Sequence, residues 1–163
     1  MASDGKLLEK LLGKSVQEFG FSRSTHDVNP LCDRVQFLRN QNGRAMVWEC
    51  KDVRKDYFQL TDMTQNERNT MRSAVDCGAL AVIVFQHWTS RIDWQCWACT
   101  WQEWAQVEAD LGFVEQSVYT QAGFKVRRKP GTASVSMTLP GRPAYLRPVP
   151  VVSGKLDLSY WVQ

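Results

Sequence analysis

The sequence predicts an α/β fold, and three features carry that expectation. Two alternating, β-branched segments, residues 34–38 and 45–51, flank an Asn-Gly turn. A continuous apolar run at residues 79–85 has the length and character of one buried strand. Segments of helical apolar spacing precede the paired strands and separate them from that run.

In order, Leu7, Leu8, Leu11, Leu12, Val16 and Phe19 give residues 4–19 one apolar helical face, with Ser3 or Asp4 as cap and Gly20 as stop. Residues 22–30 are polar and end at Pro30, which forbids a helical continuation, so they read as loop. Asn40-Gln-Asn-Gly43 tolerates positive φ and closes an antiparallel hairpin between the two strands. A helix is expected from Thr61 or Asp62 to Cys77, with Gly78 ending it before the apolar strand. Residues 101–111 read as a short helix capped by Thr100 and stopped by Gly112. Residues 123–155, rich in Gly and Pro, read as loop with one or two short strands.

A length of 163 residues fits one domain, with a core over about 4–111 and a basic, Gly/Pro-rich extension over about 112–163. With 44% hydrophobic and 23% charged residues and a mean hydropathy of −0.37, the composition is that of a soluble globular protein. No apolar run approaches the roughly 18 residues of a membrane span, so no membrane partner is expected. The N-terminus lacks an apolar signal-peptide core. The expected compartment is the cytoplasm, or a host's cytoplasm if the chain is viral. Five scattered cysteines fit reduced thiols better than a disulfide framework. The net charge of +3 is small, but residues 120–155 hold seven Lys or Arg and no acid. Such a tract is either a phosphate footprint or a solvated tail.

The hairpin carries the chemistry. Asp33 begins the first strand, and Glu49 and Lys51 lie near the end of the second. Strand side chains alternate, so Glu49 and Lys51 share a face while Cys50 points away. An antiparallel partner brings the Asp33 carboxylate beside that of Glu49. Two such carboxylates with the backbone carbonyl of Cys50 suit Mg²⁺, with Mn²⁺ as substitute. Lys51 is placed to orient or deprotonate a water and to offset phosphate charge. This is equipment for attack on a phosphodiester; the bland alternative is a surface ion pair between Glu49 and Lys51.

The segments Pro30-Leu-Cys-Asp33 and Trp48-Glu-Cys-Lys51 resemble the motif of the PD-(D/E)xK nuclease superfamily. Within it the chain is most similar to the RecU-type Holliday junction resolvases, through Glu49-Cys-Lys-Asp-Val, Phe58-Gln-Leu60, Met63, Met71 and Gly78-Ala-Leu-Ala, over about residues 4–87. The chain departs from that pattern in having Asp52-Val53 in place of Glu-Thr and Asn66-Glu67 in place of His-Gln. The resemblance implies a restriction-endonuclease-like core, a mixed central sheet flanked by helices. It implies an endonuclease of DNA recombination and repair, acting on branched DNA such as a four-way junction, as a homodimer. It adds Glu9, in Gly5-Lys-Leu-Leu-Glu9, and either Gln65 or Glu67 as assisting residues. Other readings are a site-specific or damage-directed endonuclease of the same fold, a non-catalytic DNA-binding module, and a structural phage or scaffold protein.

Further features carry bland and sharp readings alike. Cys96-Trp-Ala-Cys99 has half-site spacing, but without a second pair two semi-buried thiols are expected rather than zinc. His26-Asp27 lies in a loop, and Asp27 is a weaker rival to Asp33. Trp97, Trp101 and Trp104 fall on one face if helical, which makes most of the tryptophans core or interface; the alternative has one or two stacking on unpaired bases. Arg127, Arg128 and Lys129 precede Pro-Gly and form either a DNA-contacting hairpin or a solvated loop.

Overall fold

A computed structural model describes residues 5–17, 19–24, 32–38, 43–113, 118–121, 124–127, 136–138 and 144–162. Helix α1, Gly5–Val16, leads into strand β1, Gly20–Ser24. Strands β2, Arg34–Leu38, and β3, Arg44–Val53, form the expected hairpin, with Gly43 at φ 76° in the left-handed region that an Asn-Gly turn uses. After β4, Tyr57–Gln59, and a 3₁₀ turn, Leu60–Asp62, come helix α2, Gln65–Asp76, and strand β5, Leu80–Trp88. Strand β6, Trp94–Thr100, passes directly into helix α3, Trp101–Asp110. The remainder holds the hairpin of β7, Val118–Gln121, with β8, Phe124–Arg127. Then come the short strands β9, Ser136–Thr138, β10, Arg147–Pro148, β11, Val151–Val152, and β12, Lys155–Leu156, and the final turn of helix α4, Ser159–Val162.

The centre is a mixed six-stranded sheet in the order β1-β2-β3-β5-β6-β10. Only β3 and β5 run parallel, as a crossover through α2 requires. Helices cover both faces, which confirms the α/β class with a mixed central sheet. On one face α1 buries Leu8, Leu12 and Val16 against Met46, Trp48, Val82 and Val84. On the other, Met71 of α2 and Trp101, Trp104 and Val107 of α3 pack with Val47, Ile83 and Phe85. With both faces covered, β5 is apolar along nearly its whole length. No helix among the described residues is long and apolar enough to cross a membrane.

Several elements differ from expectation. Helix α1 stops at Val16, and Gly20 opens a strand that pairs with β2, so Ser22–Ser24 are not loop. Helix α2 starts at Gln65 because Thr64, not Thr61 or Asp62, is the cap: its hydroxyl accepts from Glu67 N–H while Glu67 accepts from Thr64 N–H. Leu60–Asp62 are instead drawn into a 3₁₀ turn whose Leu60 carbonyl accepts from the buried Arg68 guanidinium at 2.6 Å. Trp97 lies on β6 and not on the helix that carries Trp101 and Trp104. The C-terminal stretch reaches the core: β10 extends the sheet, and Leu156, Leu158, Trp161 and Val162 are buried beside α1. The Ser15 hydroxyl accepts from Leu156 N–H at 2.7 Å and ties that stretch to α1.

Candidate active site

The hairpin register builds the site. Asp33 N–H donates to the Trp48 carbonyl at 3.1 Å, which holds Asp33 against β3 just before the β2–β3 ladder begins at Arg34 and Trp48 and brings it near Glu49. Alternation then divides the two strands. Met46, Trp48 and Cys50 belong to the α1 face, whereas Val47, Glu49, Lys51 and Val53 look toward α2 and α3. Asp33 Oδ2 accepts from Cys50 N–H at 2.6 Å, so its carboxylate is locked to the backbone between Glu49 and Lys51. The Lys51 ammonium lies 2.9 Å from Glu49 Oε1 and 2.6 Å from Glu67 Oε2. Glu67 arrives from the first turn of α2, where the same oxygen completes the capping box at 2.8 Å from Thr64 N.

Two carboxylates, Glu49 and Glu67, thus flank one ammonium in a half-dry setting, with Asp33 beside Glu49. Glu49 is 3% exposed. Burial, and next to it the charges of Asp33 and Glu67, push its pKa to about 8 against the opposing pull of Lys51. Burial works against the Lys51 charge, but Glu49 and Glu67 outweigh it and hold its pKa above the ordinary lysine value. Burial likewise opposes ionisation of Glu67, yet Lys51 and the Thr64 N–H prevail and lower its pKa. The Cys50 thiol is pushed well up by burial and then by the charges of Asp33, Glu49 and Glu9. It behaves as an inert apolar group.

Of the residues expected at the site, Asp33, Glu49, Lys51 and Glu67 come together. Gln65 does not join them: it is exposed at the start of α2 and donates to Asn69 Oδ1 at 3.0 Å. Glu9 sits on α1, over the opposite face of the sheet, within electrostatic reach of Cys50. Arg127 ends β8, and its side chain, with Arg128 and Lys129, lies outside the described residues, as do His26 and Asp27. Cys96 and Cys99 project to opposite faces, one in each hydrophobic cluster, so the pair cannot share a zinc ion. The expectation of semi-buried thiols understated them, for both are buried. Sequence reading passed over His87, which is buried on the face of Glu49 and Lys51 with Nε2 3.3 Å from Asp56. The signal was its place two residues past Phe85 on an extended β5. The double service of Glu67 was also missed, although Thr64-x-x-Glu67 is the sequence form of a capping box.

Among the described residues, no group of three or more His, Cys, Asp or Glu side chains is placed to hold a metal ion. The Asp33 and Glu49 carboxylates with the Cys50 carbonyl would give an all-oxygen donor set of the few-ligand kind that Mg²⁺ accepts, its other positions going to water. Burial first, and then the charges of Asp33 and Glu67, disfavour the ionised form of Glu49, and a divalent cation beside it would favour that form, so the residues present fit such an ion.

No protein family model and no curated protein matches the chain. Among solved structures the chain is similar to Hjc of Archaeoglobus fulgidus, a Holliday junction resolvase from an archaeal hyperthermophile. The identity is 20% over 55% of this chain and 71% of that one, with a TM-score of 0.37.

Proposed function

We propose that this chain is a metal-dependent DNA endonuclease with a restriction-endonuclease-like core, of the PD-(D/E)xK type and selective for branched DNA. The observation that carries the reading is the meeting of Asp33, Glu49 and Lys51 on one face at the end of the β2–β3 hairpin, tightened by Cys50 N–H to Asp33 and by Lys51 to Glu67. Asp33, Glu49 and the Cys50 carbonyl would hold Mg²⁺ or Mn²⁺, which when bound supplies positive charge against the phosphate and eases deprotonation of water. Lys51, fixed between two carboxylates, orients the attacking water and offsets charge growing on the phosphate oxygens. Glu67 holds the Lys51 ammonium in place from α2. Arg127, Arg128 and Lys129 are proposed phosphate contacts. Symmetric cutting of a four-way junction needs two sites related by a two-fold axis, hence a homodimer.

The test is a cleavage panel of junction, flap, mismatch and linear duplex, with Mg²⁺, Mn²⁺ or EDTA. The junction is cut with metal and not with EDTA, and Lys51→Ala binds the junction without cutting it. Preferred cutting of a mismatch or of one duplex sequence would replace the branched substrate with a damage-directed or site-specific one. If Lys51→Ala and Asp33→Asn proteins cut like the parent, the site assignment fails.

A further inference from the structure

Helix α1 covers the sheet face opposite to the one that carries Glu49 and Lys51, and its solvent side has a chemistry that neither the core nor the site uses. Leu8, Leu12 and Val16 are buried against the sheet. Lys6, Lys10 and Lys14 are all exposed, and each stands two positions, about 200° of helix, from one of those buried residues. The three lysines therefore form one outward row at i, i+4 spacing, about 12 Å from first to last. None of them is held in an ion pair among the described residues. The single acid of the helix, Glu9, is half-buried and within electrostatic reach of Cys50 on the sheet side.

Like charges at i, i+4 repel and work against the helix that carries them, a cost that an anionic partner lying along the row would reverse. A fourth cation joins the row by a separate device. The Arg34 guanidinium, sent from β2, lies against α1 at Gly13, where a Cβ would stand 2.6 Å from its terminal nitrogen. Glycine inside a helix weakens it relative to alanine, and here its bare Cα leaves the space that the guanidinium fills. Apart from Leu7, which is 38% exposed, the large apolar side chains of α1 are turned to the core. Little apolar surface is left to enter a bilayer, which a helix lying on a membrane requires. A row of ammonium groups with a planar guanidinium beside it suits phosphodiester oxygens. One strand of a duplex carries a charge every 3.4 Å or so along its axis, so about three or four phosphates match the length of the row.

We propose that the outer face of α1 is a second DNA contact, in which Lys6, Lys10 and Lys14, with Arg34 beside them, hold the phosphate backbone of a duplex arm other than the one being cut. The choice of DNA as the polyanion rests on the nuclease reading. The sheet and α1 itself separate the row from Lys51, and duplex DNA is stiff over such distances. A straight duplex at the nuclease site thus leaves the row empty, whereas a branched substrate can send one arm to the site and another past α1. Contacts to phosphates carry no sequence information, so the row selects branched over linear DNA without reading bases.

The experiment measures binding alone, in EDTA, with the full chain. Its probes are a four-way junction and a linear duplex, each titrated between about 50 and 200 mM salt. The parent shows the steeper salt dependence on the junction. Replacing Lys6, Lys10 and Lys14 together by Gln, a good helix former, lowers the junction slope by roughly three units and leaves the duplex slope alone. Over that fourfold rise in salt the variant then loses roughly 40 times less junction affinity than the parent does. A charge-matched variant, with exposed Lys55, Arg72 and Arg91 changed to Gln, keeps the parent's junction slope. Equal slopes of the parent on junction and duplex overturn the proposal, and that result needs no variant to fold. So does a row variant with the parent's junction slope, or an equal loss in the charge-matched variant, since net charge alone then explains the binding. Tighter binding of the parent to anionic lipid vesicles than to either DNA also overturns it. The expected slopes from a protein that cuts no DNA would remove the nuclease reading and leave the α1 contact in place.

Discussion

Glu67 serves the fold and the site through one carboxylate oxygen, and the two services can be separated. Glu67→Ala removes the acceptor of the Thr64 N–H at the start of α2 and one of the two partners of Lys51. Loss of a helix cap costs about 0.5–2 kcal/mol. A hydrogen bond to a charged group is worth about 1.5–3 kcal/mol, taken here at the low end because Lys51 keeps Glu49 at 2.9 Å. Together the loss is about 2–4 kcal/mol, or roughly 4–16 °C in melting temperature for a chain of this length. Glu67→Gln keeps an oxygen for both donors and removes a negative charge that helps to raise the Glu49 pKa, so it melts within about 1 kcal/mol of the parent. Thermal unfolding in EDTA reads both variants without reference to any activity. If Glu67→Ala melts with the parent, or if Gln falls as far as Ala, the shared oxygen is not what holds α2 to β3.

Three other outcomes are expected. Arg68→Ala strips donors from Glu108 and from the carbonyls of Leu60 and Met63 inside the protein, and urea unfolding should show a loss of about 3–5 kcal/mol; less than about 1 would mean that the guanidinium is dispensable. Thiol labelling under native conditions should modify exposed Cys77 first and spare Cys96, whose pKa burial pushes up to about 12, and Cys99, pushed up further by the same cause, until the chain unfolds. Mg²⁺ at a hundred times its dissociation constant should stabilise the parent by about 2.7 kcal/mol, and Asp33→Asn should lose that shift; an equal shift in both proteins would place the ion elsewhere.

What was legible in the sequence was legible for local reasons. A hairpin needs only alternation and a turn that accepts positive φ, and those two facts already set Asp33 beside Glu49 and put Lys51 on the same face. Helix α3 announced itself because Thr100 and Gly112 bracket it. Strand β6 was hidden because Trp97, Trp101 and Trp104 have helical spacing, and an aromatic run suits either element until a neighbour decides; here pairing with β5 decides for Trp94–Thr100. The start of α2 was blurred because Thr61, Asp62 and Thr64 are all competent caps. The winner is selected by contacts from afar, since Arg68 pins Leu60 and Met63 into the preceding turn. Strands of two residues and a helix of one turn near the C-terminus carry no periodicity at all, and Ser15, β6 and α1 give them their places.

The site is only as definite as the register of β2 on β3, and the device that fixes this register lies on the other side of the sheet. A slip by one residue would turn Glu49 and Lys51 toward α1 and bring Trp48 and Cys50 to the face of α2. Apolar alternation resists such a slip weakly here, because both faces of β3 are covered by core and either parity would bury apolar surface. Gln36 supplies the discrimination. It is 0% exposed, accepts from Trp48 Nε1 at 3.0 Å, and donates to the Val16 carbonyl at the end of α1 at 2.9 Å. In a slipped hairpin, the Gln36 amide and the Trp48 indole N–H would lose their partners inside the protein, at about 1–3 kcal/mol for each stranded group, while the Val16 carbonyl would keep the Phe19 N–H. Gln36→Met keeps the volume and deletes the device, so it should weaken the hairpin and blur the Asp33–Cys50 contact on the opposite face. Amide exchange at Cys50, which donates to Asp33, would report that loosening; unchanged protection there would mean that turn and strand pairing hold the register without Gln36.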